Sequence, residues 1–272
     1  MTRLIVVGPG RAGGAMVLAL KRAGHQIVAV MGRDEGRRSR LANMVSAAAL
    51  PLVAPLPEAD LLLLTVRDDA LSEVAAELAA LSPPVSAAVH ASGLAPVDVL
   101  QPLAGSGLAV GSWHPLQTLP TPELGAERLE GAWMAITTRS RELASLLERL
   151  TLDLGARPFN LSDELKPLYH ASASAASNYL TAALGLAEAL AFRAGVPFEA
   201  ARPLVRAVVD NVFQLGAEAA LTGPIARGDY STVATQLQAI RIHAPHLEED
   251  FRAFGRATAR LAGTQDRFED LL

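Results

Sequence analysis

The chain of 272 residues contains no cysteine, and aromatic residues make up only 4% of it. The missing cysteine excludes disulfide bonds, thiolate metal ligands and a thiol nucleophile, and we predict no metal site. No uncharged apolar run reaches the ~18 residues of a membrane span, and we expect no signal peptide, because the first apolar run starts at Leu4. The net charge of −4 is small and the basic residues are scattered, so no nucleic-acid partner is expected. The cytoplasm is the expected location.

Hydrophobic residues make up half of the chain, which excludes a disordered protein and leaves room for one or two domains. Apolar residues 4–7 lead directly into Gly8-Pro9-Gly10-Arg11-Ala12-Gly13, and a helical pattern follows. In this order Gly8 allows a tight turn, Gly10 lets a pyrophosphate approach the backbone, and Gly13 lets the helix pack closely. The phosphates would then lie at a helix N-terminus. The loop predicts a dinucleotide site that includes Arg11 and Ala12.

The end of the second apolar run, residues 27–31, lacks the acidic residue that would bind a ribose 2′-hydroxyl. The chain continues with Gly32-Arg33, and Arg37 and Arg38 follow closely. Arginine pairs well with a phosphate, so NADP(H) is the predicted cofactor; a solvated basic helix start is the alternative. The other predicted cofactor contacts, at the ends of two later strands, are Val66, Arg67 and His90.

Strand and helix patterns alternate through the first half of the chain, which predicts an open, mostly parallel, doubly wound sheet. The predicted strands after the first two cover residues 61–66, 85–90, 110–114 and 133–137. The pattern changes near Phe159, after which only helices are predicted, including a long one over residues 168–194. We therefore predict an NADP-binding Rossmann-like domain over residues 1–158. An all-helical substrate and dimerisation domain would follow over residues 159–272.

Three histidines are candidate site residues: His90 and His114 end apolar runs, and His170 lies early in the long helix. Ligands of open α/β sheets bind outside the carboxyl ends of the strands, so His114 and the nearby Ser92 are predicted to line a substrate pocket. A structural histidine is the alternative for each.

Lys166, His170, Ser174 and Asn178 are spaced by four, so a helix would stack them on one face. Pro167 favours the first turn of that helix, so Lys166 could instead be its cap and splay away. A solvated face would normally carry more charge than this one. We predict Lys166, His170 and Asn178 as catalytic residues and Ser174 as a substrate contact.

A marked loop at residues 221–229 contains Arg227, a candidate ligand for a substrate carboxylate, supplied by this subunit or a second one. A salt bridge between Arg227 and Asp229, or a helix cap, is the alternative.

Five ordered motifs resemble those of Rossmann-like and DUF2520 domain-containing proteins. They are Gly8-Pro-Gly-Arg-Ala-Gly13, Val89-His-Ala-Ser-Gly93, Gly111-Ser-Trp-His-Pro-Leu-Gln117, Tyr169-His170 with Asn178-Tyr179, and Leu221-Thr-Gly-Pro-Ile-Ala-Arg-Gly-Asp229. The family is similar in architecture to 6-phosphogluconate dehydrogenase-like, pyrroline-5-carboxylate reductase-like and ketopantoate reductase-like enzymes. The resemblance implies a Rossmann domain, an all-α C-terminal domain and a homodimer formed through the helices.

Hydroxyacid dehydrogenase relatives carry an asparagine four residues after a lysine on the first interdomain helix. Here His170 stands four residues after Lys166, and the asparagine comes at position 178. Either His170 has become the proton donor, or Lys166 serves with Asn178 orienting the substrate.

The sequence thus predicts an NADPH-dependent reductase of a small carbonyl compound, with ketopantoate as the best single substrate. The alternatives are an imine reductase similar to pyrroline-5-carboxylate reductase and a non-catalytic NADP-binding regulatory protein.

Overall fold

A computed structural model describes the whole chain, Met1–Leu272. Eight strands form one sheet in the order β3-β2-β1-β4-β5-β6-β7-β8, in which only the β6–β7 pair is antiparallel. The strands are β1 (Arg3–Val7), β2 (Gln26–Met31), β3 (Ala48–Leu50), β4 (Ala59–Leu64), β5 (Val85–His90), β6 (Ala109–Leu116), β7 (Trp133–Thr138) and β8 (Arg157–Asn160). The mostly parallel sheet confirms the predicted α/β class.

Both faces of the sheet are covered, which explains why its central strands are apolar without interruption. In β1, Leu4 and Val6 pack into one apolar core while Ile5 and Val7 pack into the core on the opposite face. The helices around this sheet are α1 (Arg11–Arg22), α2 (Glu35–Val45), α3 (Leu71–Ala80), α4 (Gln101–Gly105), α5 (Pro122–Arg128), α6 (Arg141–Asp153) and α7 (Lys166–Ser174).

The register of the parallel strands defines the edge on which a site can form. Val7 of β1 is paired with Leu64 of β4, Leu64 with His90 of β5, and His90 with Ser112 of β6. The segments that follow β1, β4 and β5 therefore leave the sheet side by side at its carboxyl edge. His114 lies two residues beyond Ser112 on β6, at this same edge.

Two short strands, β3 and β8, are not predicted from the sequence. Because β8 joins the sheet beside β7, the chain stays with the first unit beyond the predicted boundary at residue 158. By internal contacts the chain divides into Met1–Ser174 and Ala175–Leu272. The division of labour between a cofactor domain and a substrate domain remains a prediction.

The second unit is entirely helical, in agreement with the absence of predicted strands after Asn160. A π-helical turn, Ala175–Tyr179, is followed by α8 (Leu180–Arg193), α9 (Arg202–Leu215), α10 (Ala217–Ala220), α11 (Tyr230–His243) and α12 (Glu248–Ala262). Its apolar core is small and consists of Val233, Leu237, Ala259, Phe268 and Leu271, with partly buried neighbours. Neither α8 nor α9 contains a buried residue. No helix of the chain combines the length and the apolar character that crossing a bilayer requires.

Candidate active site

The glycine loop, residues 8–13, has the geometry of a phosphate-binding turn. Gly8 has a φ of +105°, and a Cβ there would lie 2.8 Å from the Thr65 carbonyl carbon. At Gly13 a Cβ would lie 2.3 Å from Thr65 Oγ1 and 2.4 Å from the Gly8 carbonyl oxygen. The Thr65 hydroxyl donates a 2.7 Å hydrogen bond to that same oxygen. Close packing therefore requires glycine at both positions.

Gly10 differs from these two glycines because no atom lies within 4 Å of the position its Cβ would take. It is the N-cap of α1, and no side chain caps the helix there. The first turn, which begins with Arg11 and Ala12, therefore offers free backbone N–H groups and the positive end of the helix dipole to an anion. The open space at Gly10 fits the approach of a pyrophosphate.

Two of the arginines predicted near a 2′-phosphate, Arg33 and Arg37, are already paired with carboxylates. Arg33 Nη2 lies 2.7 Å from Glu73 Oε1 and 3.3 Å from Glu77 Oε1. Arg37 Nε lies 3.6 Å from Asp34, whose side chain also caps α2. A phosphate would have to share or displace these exposed pairs.

The predicted cofactor contacts beyond β4 and β5 differ in accessibility. Val66 is half-buried, and the exposed Arg67 forms a 2.6 Å ion pair with Asp69. The ring of His90 is fully buried, and its Nδ1 accepts a 3.2 Å hydrogen bond from the Ser92 amide. Burial and the nearby charge of Lys166 lower the pKa of His90 to about 4. His90 is therefore a neutral ring inside the protein rather than an exposed group at the cofactor site.

Ser92 organises the loop that follows β5, residues 91–97, which we call the 91–97 loop. Its Oγ accepts hydrogen bonds from the amides of Leu94 and Ala95, at 3.1 and 2.9 Å. The same hydroxyl donates a 2.7 Å hydrogen bond to Asp68, which follows β4. The buried Ser92 thus fixes the backbone of this loop, although we predict it as a substrate contact.

His114 and Tyr169 form the most distinctive polar contact at the carboxyl edge. His114 Nδ1 lies 2.7 Å from the Tyr169 hydroxyl, and the two rings meet edge to face. Burial and the charge of His170 lower the pKa of His114 to about 4, and burial raises the pKa of Tyr169 to about 12. At pH 7 the pair is therefore a neutral imidazole and a protonated phenol. A Cβ on Gly93 would lie 2.8 Å from His114 Cε1, so the 91–97 loop packs against this ring.

Lys166 is buried, with only 1% of its side chain exposed. Its Nζ lies 2.8 Å from Asp163 Oδ1 and donates a 2.9 Å hydrogen bond to the Ala95 carbonyl oxygen. Burial lowers the pKa of Lys166, while the Asp163 carboxylate opposes that change. The spacing of four places Lys166 on one polar face with His170, Ser174 and Asn178. In the structure Lys166 is buried and is therefore set apart from these three residues.

The other residues of the predicted stripe become more exposed along the chain. His170 and Ser174, at the end of the first unit, are half-buried, and Asn178 is exposed within the π-helical turn of the second unit. Asn178 Oδ1 accepts a 3.1 Å hydrogen bond from Ser177. Arg227 is exposed in its loop, and Asp229 caps α11 through the Thr232 amide. The alternative of a cap is thus correct for Asp229.

Three residues of this arrangement are missing from the sequence prediction: Thr65, Asp163 and Tyr169. Tyr169 stands beside His170 in a predicted site helix, which is a usable signal. Asp68 is interpreted as part of a helix start and, with Val66 and Arg67, as a wall of the nucleotide site. The roles of Thr65 and Asp163 depend on partners far away in sequence, Gly8 and Val97.

Two family models match the chain in series. Residues 2–115 match the Rossmann-like domain, and residues 132–258 match the domain of unknown function DUF2520. This order is the one that the five motifs predict. The Rossmann-like match and the geometry of the glycine loop support the predicted NADP(H) cofactor. No curated protein matches the chain by sequence.

Similar solved structures extend over nearly the whole chain. A protein from Bacteroides fragilis that is described as an NADP oxidoreductase has a TM-score of 0.82 at 24% identity, with 95% of this chain and 98% of that one covered. A pyrroline-5-carboxylate reductase from Coxiella burnetii has a TM-score of 0.60 at 14% identity, covering 97% and 98%. A reductive aminase from Aspergillus terreus has a TM-score of 0.60 at 17% identity, covering 97% and 88%. At these identities the similarity establishes the fold alone.

Proposed function

We propose that this chain, a member of the Rossmann-like and DUF2520 domain-containing proteins, is an NADPH-dependent reductase of a small carbonyl compound. The glycine loop and the first turn of α1 would hold the pyrophosphate, with Arg33 and Arg37 near the 2′-phosphate. When bound, the cofactor supplies the hydride. The protein's own residues must position the substrate and manage the proton.

The observation that carries the proposal is the 2.7 Å contact between His114 Nδ1 and the Tyr169 hydroxyl at the carboxyl edge of the sheet. A carbonyl oxygen gains negative charge during reduction and needs an acid nearby. With its proton on Nδ1, neutral His114 donates to the Tyr169 oxygen and leaves the phenol proton free for the substrate. The same hydrogen bond would stabilise the phenolate that remains.

The pKa of Tyr169, about 12, favours a carbonyl over an imine substrate. An alkoxide is a stronger base than a phenolate, so proton transfer from Tyr169 to it is downhill. An imine nitrogen is a much weaker base, and so weak an acid would leave it unprotonated. Imine reduction remains the second candidate, because two kinds of structurally similar enzyme, the pyrroline-5-carboxylate reductase and the reductive aminase, carry that chemistry in their names.

The test is oxidation of NADPH by the purified protein with a panel of 2-oxo acids, including ketopantoate, and cyclic imines. We expect turnover with the 2-oxo acids and strong loss of it in Tyr169→Phe. Tyr230→Phe, which alters an exposed tyrosine of the second unit, is the matched control. Turnover confined to cyclic imines would contradict the carbonyl assignment.

A non-catalytic NADP-binding protein is separable in the same experiment. Such a protein would bind NADPH, as measured by calorimetry, without oxidising it with any member of the panel. Growth of a strain that lacks ketopantoate reductase and carries this gene would distinguish ketopantoate from the other 2-oxo acids.

The second unit supports the proposal of a homodimer. The helices α8 and α9 contain no buried residue, and their exposed apolar side chains include Phe192, Leu204, Val208 and Phe213. Such a surface marks a protein interface. We expect a dimer in sedimentation at micromolar concentration and a monomer for Val208→Asp. A cytoplasmic location is part of the proposal and is testable by fractionation.

A further inference from the structure

The start of α7 is joined to the 91–97 loop by an ion pair between the buried Lys166 and the half-buried Asp163. Lys166 Nζ contacts Asp163 Oδ1 and the Ala95 carbonyl oxygen, at 2.8 and 2.9 Å. The two oxygens of the Asp163 carboxylate each lie 3.1 Å from the Val97 amide nitrogen, which donates to them. The pair thus holds the loop at Ala95 and Val97, in addition to the hydrogen bonds that Ser92 makes within the loop.

We infer that Asp163 and Lys166 form a positioning pair for the proposed reaction. The pair fixes the 91–97 loop against His114, and Lys166 acts through that loop rather than as the proton donor. The inference rests on the proposed function for its kinetic consequences, but its structural content can be tested without a substrate.

The surroundings of the Lys166 ammonium argue against proton donation. The group is 1% exposed, and its partners are one carboxylate and one backbone carbonyl of the protein itself. These partners occupy two of the three N–H groups of the ammonium, and a substrate could reach the third only by entering the interior of the protein. Breaking a buried ion pair from one side is costly, because it leaves an uncompensated charge.

The route from the pair to the reacting groups is short. Ala95 and Ser92 belong to the same hydrogen-bonded loop, and Gly93 of that loop packs on the His114 ring. The loop would set the position of His114 and therefore of the Tyr169 hydroxyl. The charged and titratable groups around His90 and His114 are Asp68, Asp163, Lys166, Tyr169 and His170.

The two lysines of the chain, Lys21 and Lys166, make a direct accessibility test possible. Lys21 is exposed at the end of α1, whereas Lys166 is buried. Reductive methylation followed by peptide mass spectrometry should modify Lys21 and spare Lys166 in the native protein. In Asp163→Asn, Lys166 should become reactive because its carboxylate partner is gone. Equal reactivity of both lysines in the native protein would overturn the inference, whatever the substrate is.

Kinetics then distinguish positioning from proton donation. We expect Lys166→Met and Asp163→Asn each to lower kcat by about 10- to 100-fold, and the double variant to be no worse than either, because both remove one device. The Kd for NADPH should stay within about twofold, and the alkaline limb of the kcat–pH profile should persist in Lys166→Met. Lys21→Met is the control, and thermal melts establish that each variant is folded.

Loss of about 1,000-fold or more in Lys166→Met alone, with Asp163→Asn near the native rate, would instead make Lys166 the donor. Disappearance of the alkaline limb in Lys166→Met would lead to the same conclusion. If no substrate is reduced at all, the proposed function fails. The methylation experiment still decides whether Lys166 is buried in its pair with Asp163.

Discussion

The glycine loop and the 91–97 loop follow β1 and β5, which are separated only by β4, and both leave the sheet at its carboxyl edge. The two loops are nevertheless built in opposite ways. The glycine loop has no side-chain cap at Gly10, so the amides of the first turn of α1 stay free for a ligand. In the 91–97 loop, Ser92 and Asp163 accept hydrogen bonds from three amides, and Lys166 binds a carbonyl. The first loop is an open anion site, whereas the second is a closed support for His114.

This contrast assigns different kinetic consequences to the two loops. Changes at the glycine loop should alter cofactor affinity, because its groups face a phosphate. Changes at the second loop and at the residues it supports should alter kcat, because they affect the groups proposed to handle the proton. A glycine-loop variant that lowers only kcat, or a 91–97 loop variant that lowers only cofactor affinity, would contradict this assignment.

The largest expected effect is the loss of the Tyr169 hydroxyl. Tyr169→Phe removes the proposed acid while keeping the ring that meets His114 and Phe159 edge to face. We expect kcat to fall by about 10²- to 10⁴-fold, the usual contribution of a general acid, and the Kd for NADPH to stay within about twofold. A drop in NADPH affinity as large as the drop in kcat would show that the Tyr169 hydroxyl and the cofactor site do not act separately.

The second effect is a loss of stability in acid. Both His90 and His114 have a pKa of about 4 in the folded protein, below the ordinary 6.5. Between pH 6.5 and 4 the unfolded chain binds more protons, so stability falls as the pH is lowered through that window. Each ring contributes at most about 3 kcal/mol, from a difference of 2.5 in pKa at 1.36 kcal/mol each.

Urea unfolding at pH 7, 5.5 and 4.5 measures this dependence. His114→Gln should flatten part of the slope, while the exposed His246→Gln should leave it unchanged. An unfolding free energy that is independent of pH across this window would contradict the burial of both neutral rings.

The third effect contrasts two glycines of the same loop. Gly10→Ala places a Cβ in open space, so the fold should tolerate it while NADPH binding weakens by about 10-fold or more, since the methyl occupies the pyrophosphate position. Gly13→Ala forces a Cβ against Thr65 and the Gly8 carbonyl, which should cost about 1–3 kcal/mol of stability. Thermal melts measure the loss of stability, and calorimetric titration with NADPH measures the loss of binding. Equal melting losses in both variants would contradict the open space at Gly10.

The same contrast explains what the sequence could and could not predict. The glycine loop obeys a local rule, so its residues, the cofactor class and the following helix are readable within 33 positions. The 91–97 loop depends on Asp163 and Lys166, which lie 66 and 71 residues from their partners. No periodicity reports such a pairing, so Lys166 is predicted, as an alternative to His170, to be the proton donor, and Asp163 is not singled out. The strand β8 escapes prediction because its four residues, which include Pro158, are too few for an alternating pattern.

The smallest effect concerns the choice between NADPH and NADH, which we assign to Arg33 after β2. Arg33→Ala should weaken NADPH binding by about 10-fold and leave NADH binding nearly unchanged, because a charge-assisted hydrogen bond to phosphate contributes about 1.5–3 kcal/mol. Equal use of both cofactors by the native protein would contradict the role of Arg33.

Glu73 sharpens this prediction, because its carboxylate lies 2.7 Å from the guanidinium that the phosphate needs. The pair is exposed on both sides, and such pairs contribute about 0–1 kcal/mol. Releasing it therefore costs the phosphate little, and Glu73→Gln should strengthen NADPH binding by no more than about fivefold. The gain should vanish at high salt, which screens exposed charges, and in the Arg33→Ala background. If Glu73→Gln weakens binding instead, the carboxylate orients Arg33 for the phosphate, and this end of the site is also pre-organised by side chains.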